Sequence, residues 1–438
     1  MLIEVLITTA EQVPFFPFYA WTGIWIGVFS VILAVTDAAC IISAVTRFTD
    51  EIFAALISTI FTVSAITDLV NVWLDGKQEL CDSTDGSTAS IKNFSRQSLE
   101  DIVNDNYNFD ELPCMTMLQL EAKTLVSIFL ALGTFWIAMS LKGIRASQIT
   151  HRNVRKFLAD FGVAIAIGTM VLIHEFVFTT PVDMLVIPEE FETTSGRDWW
   201  VGLGGLSFGW IMFTIIPALL GLTLVWLDDN ITYRLINSTD NKVVKGTAYH
   251  WNTLILGLFI AVMSLFGLPW LVAATVRSML MVKSLAQTEK DGAGRERIVS
   301  VNDNRLCAFL VHVMVLAAVL VPEVIKKIPK AVILGLFLYM GLSAVKGNTL
   351  FERIELLSIW ERANYPSDSY IKKVSSMSVI HKFTTIQVAC LVLLYVVKSS
   401  VIGISFPLFI GILPLIRHIT GKIIGEDDCE HLDPEEKD

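Results

Sequence analysis

Long apolar stretches separated by short polar segments fill most of the chain. Most of them are close to the roughly 20 residues that a helix needs to cross about 30 Å of hydrocarbon, and they are apolar throughout, unlike the alternating strands of a membrane β-barrel. The pattern therefore predicts an all-α polytopic membrane protein. The apolar runs are 18–46, 51–74, 123–141, 158–179, 203–227, 252–268, 269–285, 306–322, 330–346, 383–398 and 401–416.

The composition excludes a soluble protein. Of the 438 residues, 53% are apolar and 17% are charged, whereas about a quarter of the residues of a soluble protein are charged. The net charge of −10 comes without a cluster of basic residues, which argues against nucleic-acid binding. The sequence offers no set of nucleophile, base and orienting group, so we expect no catalytic residue, no metal, no cofactor and no enzyme.

The charges of the loops indicate how the chain is oriented in the membrane. Segment 142–156 has five basic residues and no acidic residue, as expected for a cytoplasmic loop. Alternation of the spans then places loop 75–121, with ten acidic and three basic residues, outside. The sequence thus predicts a transmembrane transport domain over 1–425 and an acidic cytoplasmic tail over 426–438, with the lipid bilayer as the immediate partner.

Two features of the outer loop indicate a multi-pass protein of the plasma membrane. Asn93 stands in the tripeptide Asn93-Phe94-Ser95, which is a glycosylation acceptor. Cys81 and Cys114 lie in the same loop, where the environment is oxidising, so we expect them to form a disulfide.

A glycine and a proline two residues apart, Gly267 and Pro269, interrupt an apolar run. Proline suits the first turn of a helix because it has no N–H to leave unpaired, so the break predicts a helix that starts inside the membrane at these residues. The unpaired N–H groups of such a helix end attract anions, and transporters with interrupted helices bind their substrates in this way. The alternative is a plain extracellular turn between two full spans.

One charged residue, Arg277, lies about two helical turns beyond this break. A charge inside an apolar stretch is costly in lipid and should face a cavity or a partner. The small residues Ala273, Ala274 and Thr275 would let an anion approach the backbone closely. The alternative is a side chain that extends to the inner membrane interface.

Asp228 and Thr232 stand at the end of an earlier apolar run. Because they are four residues apart, they are neighbours on one helical face. Their carboxylate and hydroxyl oxygens are of the type that a hard cation prefers. The alternative is an acidic helix end exposed to solvent.

The segment Gly267–Ser278 resembles the signature of the bicarbonate transporter family, which includes chloride/bicarbonate anion exchangers and sodium bicarbonate cotransporters. Further segments resemble the same family in order along almost the whole chain. They are Arg47–Phe53, Gly133–Phe135, Asp160–Gly162, Val243–Gly246 with His250, Ile328–Val332, Gly335–Gly341 and Val397–Ser399.

The resemblance implies a fold of two inverted repeats of seven spans, a 7+7 arrangement, with half-helices of the third and tenth spans at the substrate site. Pro269–Gln287 would be the tenth span, and Ala274, Thr275, Val276 and Arg277 would bind the anion. It also implies secondary active transport of bicarbonate or carbonate, with chloride or sodium as the coupled ion, in a homodimer.

The coupling signatures are mixed. The resemblance assigns an arginine at the position of Arg277 to the exchangers, because sodium-coupled members have an uncharged residue there. It assigns Asp228 followed by Thr232 to the sodium-coupled members. Chloride/bicarbonate exchange and sodium-coupled bicarbonate transport therefore both stay open.

The start of the chain resembles the middle of a family member. Met1–Glu4 corresponds to a point partway through the third span, so the first two and a half spans and the large N-terminal cytoplasmic domain would be missing. We expect a fragment of a longer transporter or a natural truncation. Alternative functions are a borate exporter of a related branch and a non-transporting scaffold. The acidic tail could recruit carbonic anhydrase or simply be solvated.

Overall fold

The computed structural model is almost entirely helical. The helices are α1 (Phe15–Val35), α2 (Arg47–Asp85), α3 (Met117–Ile144), α4 (Arg152–Asp160), α5 (Gly162–Val177), α6 (Phe208–Phe213), α7 (Ile215–Asn237), α8 (Tyr249–Leu265), α9 (Thr275–Leu285), α10 (Arg305–Val319), α11 (Pro322–Lys326), α12 (Lys330–Val345), α13 (Thr349–Leu356), α14 (Met377–Ser399), α15 (Phe406–Ile424) and α16 (Glu426–Leu432). An antiparallel hairpin of β1 (Ala286–Lys290) and β2 (Glu296–Val301) follows α9. Short 3₁₀ helices cover Thr239–Asn241 and Val401–Ser405.

The structure describes residues 13–36, 46–85, 117–145, 147, 151–187, 193, 196–270, 272–290, 296–302, 304–345, 348–356 and 374–433.

The predicted membrane class is confirmed. Within the described residues, five helical segments are long and apolar enough to cross a membrane: Phe15–Val35, Arg47–Leu74, Ala122–Ile144, Phe208–Asn237 and Met377–Ser399. Two bent pairs, α4 with α5 and α12 with α13, raise the number of spans to seven if each pair counts as one. Only 33% to 39% of each of the five apolar windows is buried within the chain, which leaves large apolar faces for lipid.

The candidate spans on either side of the predicted outer loop 75–121 end at Leu74 and begin again at Ala122, as the sequence predicts, and parts of the loop itself are helical. Helix α2 continues to Asp85, and α3 begins at Met117, so both ends of that segment are helical. The residues after Leu74 include good helix formers such as Lys77, Gln78 and Glu79, and a helix that has begun in the membrane extends through them at little cost.

The chain forms two compact units. The first comprises Met1–Ile57, Glu190–His312 and Ala344–Asp438. Small residues bring α1 and α8 close together, since a Cβ added to Gly27 would lie 2.9 Å from that of Ala261. The core of this unit, which fixes α7 beside α1 and α8, consists of Ile26, Ala218, Leu222, Val225 and Ile260.

The second unit comprises Ser58–Glu189 and Val313–Ser343. Its core contains Val126, Leu130, Ala131, Met170, Val182, Ala331 and Val332. The Ser58 hydroxyl donates a hydrogen bond to the carbonyl oxygen of Gly341 at 2.7 Å, which fixes α12 against α2 within this unit.

Candidate functional site

The helix predicted to start at Gly267 and Pro269 begins eight and six residues later, at Thr275, with Ala274 as its N-cap. Gly267, at φ 62°, instead ends α8. The N–H of Gly267 donates to the carbonyl of Ser264, and the N–H of Leu268 donates to the carbonyl of Met263. These two hydrogen bonds are the Schellman arrangement of a helix C-terminus. The described residues between Gly267 and Thr275 are not helical, so the predicted helix start at Gly267 and Pro269 is wrong and α9 begins at Thr275.

Contacts from distant residues hold the start of the crossing segment, defined here as residues 266–270 and 272–274, in its non-helical path. The Arg197 guanidinium donates to the carbonyls of Phe266 and Gly267 at 3.0 and 3.1 Å and lies 4.3 Å from the ring centroid of Phe16. The Tyr19 hydroxyl donates to the carbonyl of Leu268 at 2.8 Å. These contacts satisfy backbone groups that a helix would otherwise pair.

The sequence interpretation missed both contributors. Arg197 carried a usable signal, because it is the single basic residue within the acidic stretch 183–198. Tyr19 carried none, since a tyrosine within an apolar run is ordinary. Its ring also stacks on that of Trp270, with centroids 4.7 Å apart.

The two predicted ion-binding features meet at the start of α9. The carboxylate of Asp228 on α7 lies close to the backbone N–H of Ala273 and is stabilised by it. One turn further along α7, the hydroxyl of Thr232 lies 2.7 Å from that of Thr275, and Thr232 is only 4% exposed. The structure therefore brings the carboxylate, two hydroxyls and a helix N-terminus together.

The electrostatics of this helix end suit an anion. The first hydrogen bond of α9 runs from the N–H of Ser278 to the carbonyl of Ala274, so the N–H groups of Thr275, Val276 and Arg277 have no acceptor within the helix. They carry the positive end of the helix dipole. Arg277 lies in this first turn rather than two turns into the helix, and its side chain is exposed.

The same group of oxygens can hold a hard cation. Asp228 supplies a carboxylate, and Thr232 and Thr275 supply hydroxyls, which are ligands that sodium-like ions accept. The neighbouring Asp229 faces elsewhere, because its carboxylate accepts a hydrogen bond from the side-chain amide of Asn252 at 2.6 Å. Asp228 is therefore the carboxylate on α7 that contacts the start of α9.

A buried charge network, also missed from the sequence, anchors the end of α7. Arg234 on α7 pairs with Asp50 at the start of α2 at 3.4 Å. The next residue, Glu51, accepts hydrogen bonds from Arg353, Thr349 and Gln387. The segment Arg47–Phe53, conspicuous in the sequence, is the place where these buried charges meet.

Three predicted features lie outside the described part of the chain. Asn93 and Cys114 are not described, and neither is the side chain of Cys81, so the glycosylation site and the disulfide stay predictions. The side chain of Val276 is likewise outside it.

The chain is similar to several known proteins. Residues 3–437 match the family model described as the HCO3⁻ transporter integral membrane domain. The chain is 32% identical over 429 residues to Anion exchange protein 3 of Danio rerio, covering 95% of this chain and 35% of that protein. It is 31% identical over 449 residues to Sodium bicarbonate cotransporter 3 of Homo sapiens, covering 95% and 37%.

Band 3 anion transport protein of Homo sapiens is 32% identical over 435 residues, covering 95% of this chain and 45% of that protein. The chain thus spans less than half the length of each of these relatives. Among solved structures it is similar to the transmembrane domain of the cyanobacterium bicarbonate transporter BicA, with 12% identity and a TM-score of 0.46, covering 86% of this chain and 76% of that chain.

Proposed function

The chain belongs to the family of HCO3⁻ transporter integral membrane domains, and from this premise we propose that it moves bicarbonate or carbonate across a membrane by secondary active transport. Its family consists of transporters rather than enzymes, and the chain is a multi-pass membrane protein. The 7+7 inverted repeat, the homodimer and the plasma-membrane location belong to the same proposal.

One observation carries it: the start of α9 exposes N–H donors and Arg277 while Asp228 and Thr232 contact it from α7. Bicarbonate is a planar oxyanion with several acceptor oxygens. A guanidinium matches such an anion with two parallel hydrogen bonds, and the helix N–H groups can donate to its remaining oxygens. Binding would be reversible because Arg277 is exposed rather than buried.

Chloride/bicarbonate exchange is the coupling mode that Arg277 supports. A fixed positive charge beside the helix end would attract chloride or bicarbonate. If the empty site moved back across the membrane, that charge would have no anion to balance it. Such a site favours one-for-one anion exchange.

Sodium-coupled transport is the mode that Asp228, Thr232 and Thr275 support. Sodium held by these oxygens would bring a positive charge to the same helix end and raise the affinity for a bicarbonate or carbonate bound there. The two threonine hydroxyls form a hydrogen bond with one another, and each keeps lone pairs that a cation can use.

The decisive measurement is the bicarbonate-dependent recovery of internal pH after an acid load in cells that express the chain. External sodium is present and then replaced, and external chloride is removed in a parallel series. Recovery that needs sodium assigns the sodium-coupled mode. Recovery that persists without sodium and becomes faster when external chloride is removed assigns exchange, because the outward chloride gradient then drives bicarbonate entry.

Two further outcomes would contradict bicarbonate transport. Boron efflux without bicarbonate flux would assign the chain to the borate branch. A chain that reaches the membrane and carries neither anion would be a non-transporting membrane module.

A further inference from the structure

The described part of the acidic C-terminal segment, Glu426–Asp433, is packed against the protein and is not a freely solvated chain. Residues Glu426–Leu432 form α16, which packs on the first unit through Cys429 and Leu432, at 0% and 2% exposure. Asp433 follows the helix and is also buried. Its carboxylate accepts hydrogen bonds from the N–H of Phe48 at 2.9 Å and from Arg417 at 2.7 Å. The segment therefore caps the start of α2.

Ser375 forms hydrogen bonds with the exposed side of α16. The backbone N–H of Ser375, just before α14, donates to one carboxylate oxygen of Asp428 at 2.8 Å, and the Ser375 hydroxyl donates to the other. Together these hydrogen bonds lower the pKa of the Asp428 carboxyl. Both residues lie at the surface, so the contact can be reached from solvent.

The sequence around this serine is basic on its N-terminal side. Lys372 and Lys373 stand three and two residues before Ser375. Protein kinases with an acidic peptide groove select serines on this charge pattern. The alternation of spans predicted from the loop charges places Ser375 and α16 on the cytoplasmic side, where ATP is present.

We propose that Ser375 is a phosphorylation site and that a phosphate on it releases α16 from the membrane domain. In the reaction, the hydroxyl oxygen of Ser375 forms a bond to the γ-phosphorus of ATP while the bond between that phosphorus and ADP breaks. The hydroxyl proton passes to a base of the kinase, and ADP leaves.

The physical consequence follows from the contact. Phosphorylation replaces the hydroxyl that donates to Asp428 with a group of about −1.5 to −2 charge, which then faces a carboxylate. An attractive hydrogen bond becomes a like-charge repulsion at the residue next to Cys429. Release would expose Cys429 and Leu432 and remove Asp433 from the start of α2. This inference does not depend on which anion the protein carries.

The experiment uses the full chain in inside-out membrane vesicles, treated with ATP and a serine kinase that selects basic residues at positions −3 and −2. Phosphate incorporation should be lost in Ser375→Ala and retained in Ser376→Ala. Alkylation of Cys429 by a polymer-linked maleimide, assigned by its loss in Cys429→Ser, should be at least about tenfold faster after phosphorylation.

Matched variants separate release from general disturbance. Ser378→Glu adds a charge at an exposed position one turn away on α14 and should leave the alkylation rate unchanged. Ser375→Glu should accelerate it, and combination with Asp428→Asn should remove most of that acceleration. Equal incorporation in the wild type and Ser375→Ala, or phosphorylated wild-type protein that is alkylated at the unmodified rate, would overturn the proposal. If Ser375→Glu fails to fold, the alkylation rate of the kinase-treated wild-type protein still tests the proposal.

Discussion

The hydroxyl of Thr232 on α7 lies 2.7 Å from the hydroxyl of Thr275, the first residue of α9. This contact joins a helix that carries a carboxylate to the N-terminus of a helix that carries an arginine. The side chains proposed to hold a cation and the groups proposed to hold an anion therefore share one small region. A change at either threonine should affect both ions.

We first predict that Thr232→Val weakens sodium coupling. The substitution keeps the shape of the side chain but removes one oxygen and leaves the Thr275 hydroxyl without this partner, at a cost of about 1–3 kcal/mol. In a sodium-coupled protein the sodium concentration for half-maximal pH recovery should rise roughly tenfold. Thr223→Val is the control, since its hydroxyl bonds only within α7, to Leu219 at 2.9 Å. An equal shift in both variants would show that the hydroxyl at 232 is not a ligand.

Arg277→Ala should abolish or strongly reduce anion flux without lowering surface expression. The side chain is exposed, so its removal leaves no buried group unpaired and costs little stability. Arg277→Lys should recover only part of the flux, because an ammonium lacks the planar fork of a guanidinium. Surface biotinylation and pH recovery measure the two effects, with Arg305→Ala as the control at an exposed basic residue. Unchanged flux in Arg277→Ala would contradict the site assignment.

Periodicity and composition predicted the parts of the fold that depend on local sequence. Each predicted apolar run overlaps a helix, because burial in lipid needs only a sufficient length of apolar residues. The pairing of Asp228 with Thr232 on one helical face was likewise local. The contact of Thr232 with Thr275 joins residues 43 positions apart, and no local pattern predicted it.

The start of α9 could not be predicted from the sequence because Gly267 and Pro269 are compatible with two arrangements. A glycine can end one helix and a proline can begin the next, so their spacing allowed a helix from Pro269. The non-helical path after Gly267 is stabilised by Tyr19 and Arg197, which lie 249 and 70 residues away from the carbonyls they contact. No local pattern contains such information.

Glu51→Gln should destabilise the protein strongly. Arg353 is 1% exposed and would lose its charged partner, and breaking a buried ion pair on one side typically costs about 3–5 kcal/mol. We expect a lower thermal unfolding midpoint in detergent at a fixed scan rate. The double variant Glu51→Gln, Arg353→Met should recover part of the loss.

The control is Glu323→Gln, which breaks an exposed pair with Lys326 and should change the midpoint little. If both single variants shift the midpoint equally, the buried network does not stabilise the first unit.

The docking of α16 should weaken at acidic pH. The hydrogen bonds from Ser375 hold the pKa of the Asp428 carboxyl below its ordinary value of about 3.9. A group with a lowered pKa contributes stability that is fully present above the ordinary value and is lost as the pH falls through the lowered one. The exposure of Cys429, followed with a disulfide reagent that reacts in acid, should therefore increase below that ordinary value.

Ser375→Ala supplies the control for this pH dependence. Without the hydroxyl the pKa of Asp428 moves back toward its ordinary value, so the rise in Cys429 reactivity should begin at a higher pH. Identical profiles in the two proteins would exclude Asp428 as the titrating group.

Gly267→Ala tests how the crossing segment is positioned. Gly196→Ala is the control, because this glycine has nearly the same backbone conformation. Gly196 and Gly267 have φ values of 63° and 62°, so alanine at either position carries a similar backbone penalty of about 1–2 kcal/mol. A Cβ on Gly196 would meet nothing within 4 Å, whereas one on Gly267 would lie 2.7 Å from a guanidinium nitrogen of Arg197 and 2.9 Å from a methyl carbon of Val201.

Gly267→Ala should therefore lower the unfolding midpoint well beyond Gly196→Ala and reduce anion flux, because displacement of Arg197 frees the carbonyls that fix the path into α9. Adding Arg197→Ala to Gly267→Ala should change the midpoint less than Arg197→Ala does alone, since the two substitutions disturb one contact. Additive effects of the two substitutions, or equal midpoints for the two glycine variants, would show that Arg197 does not position this segment.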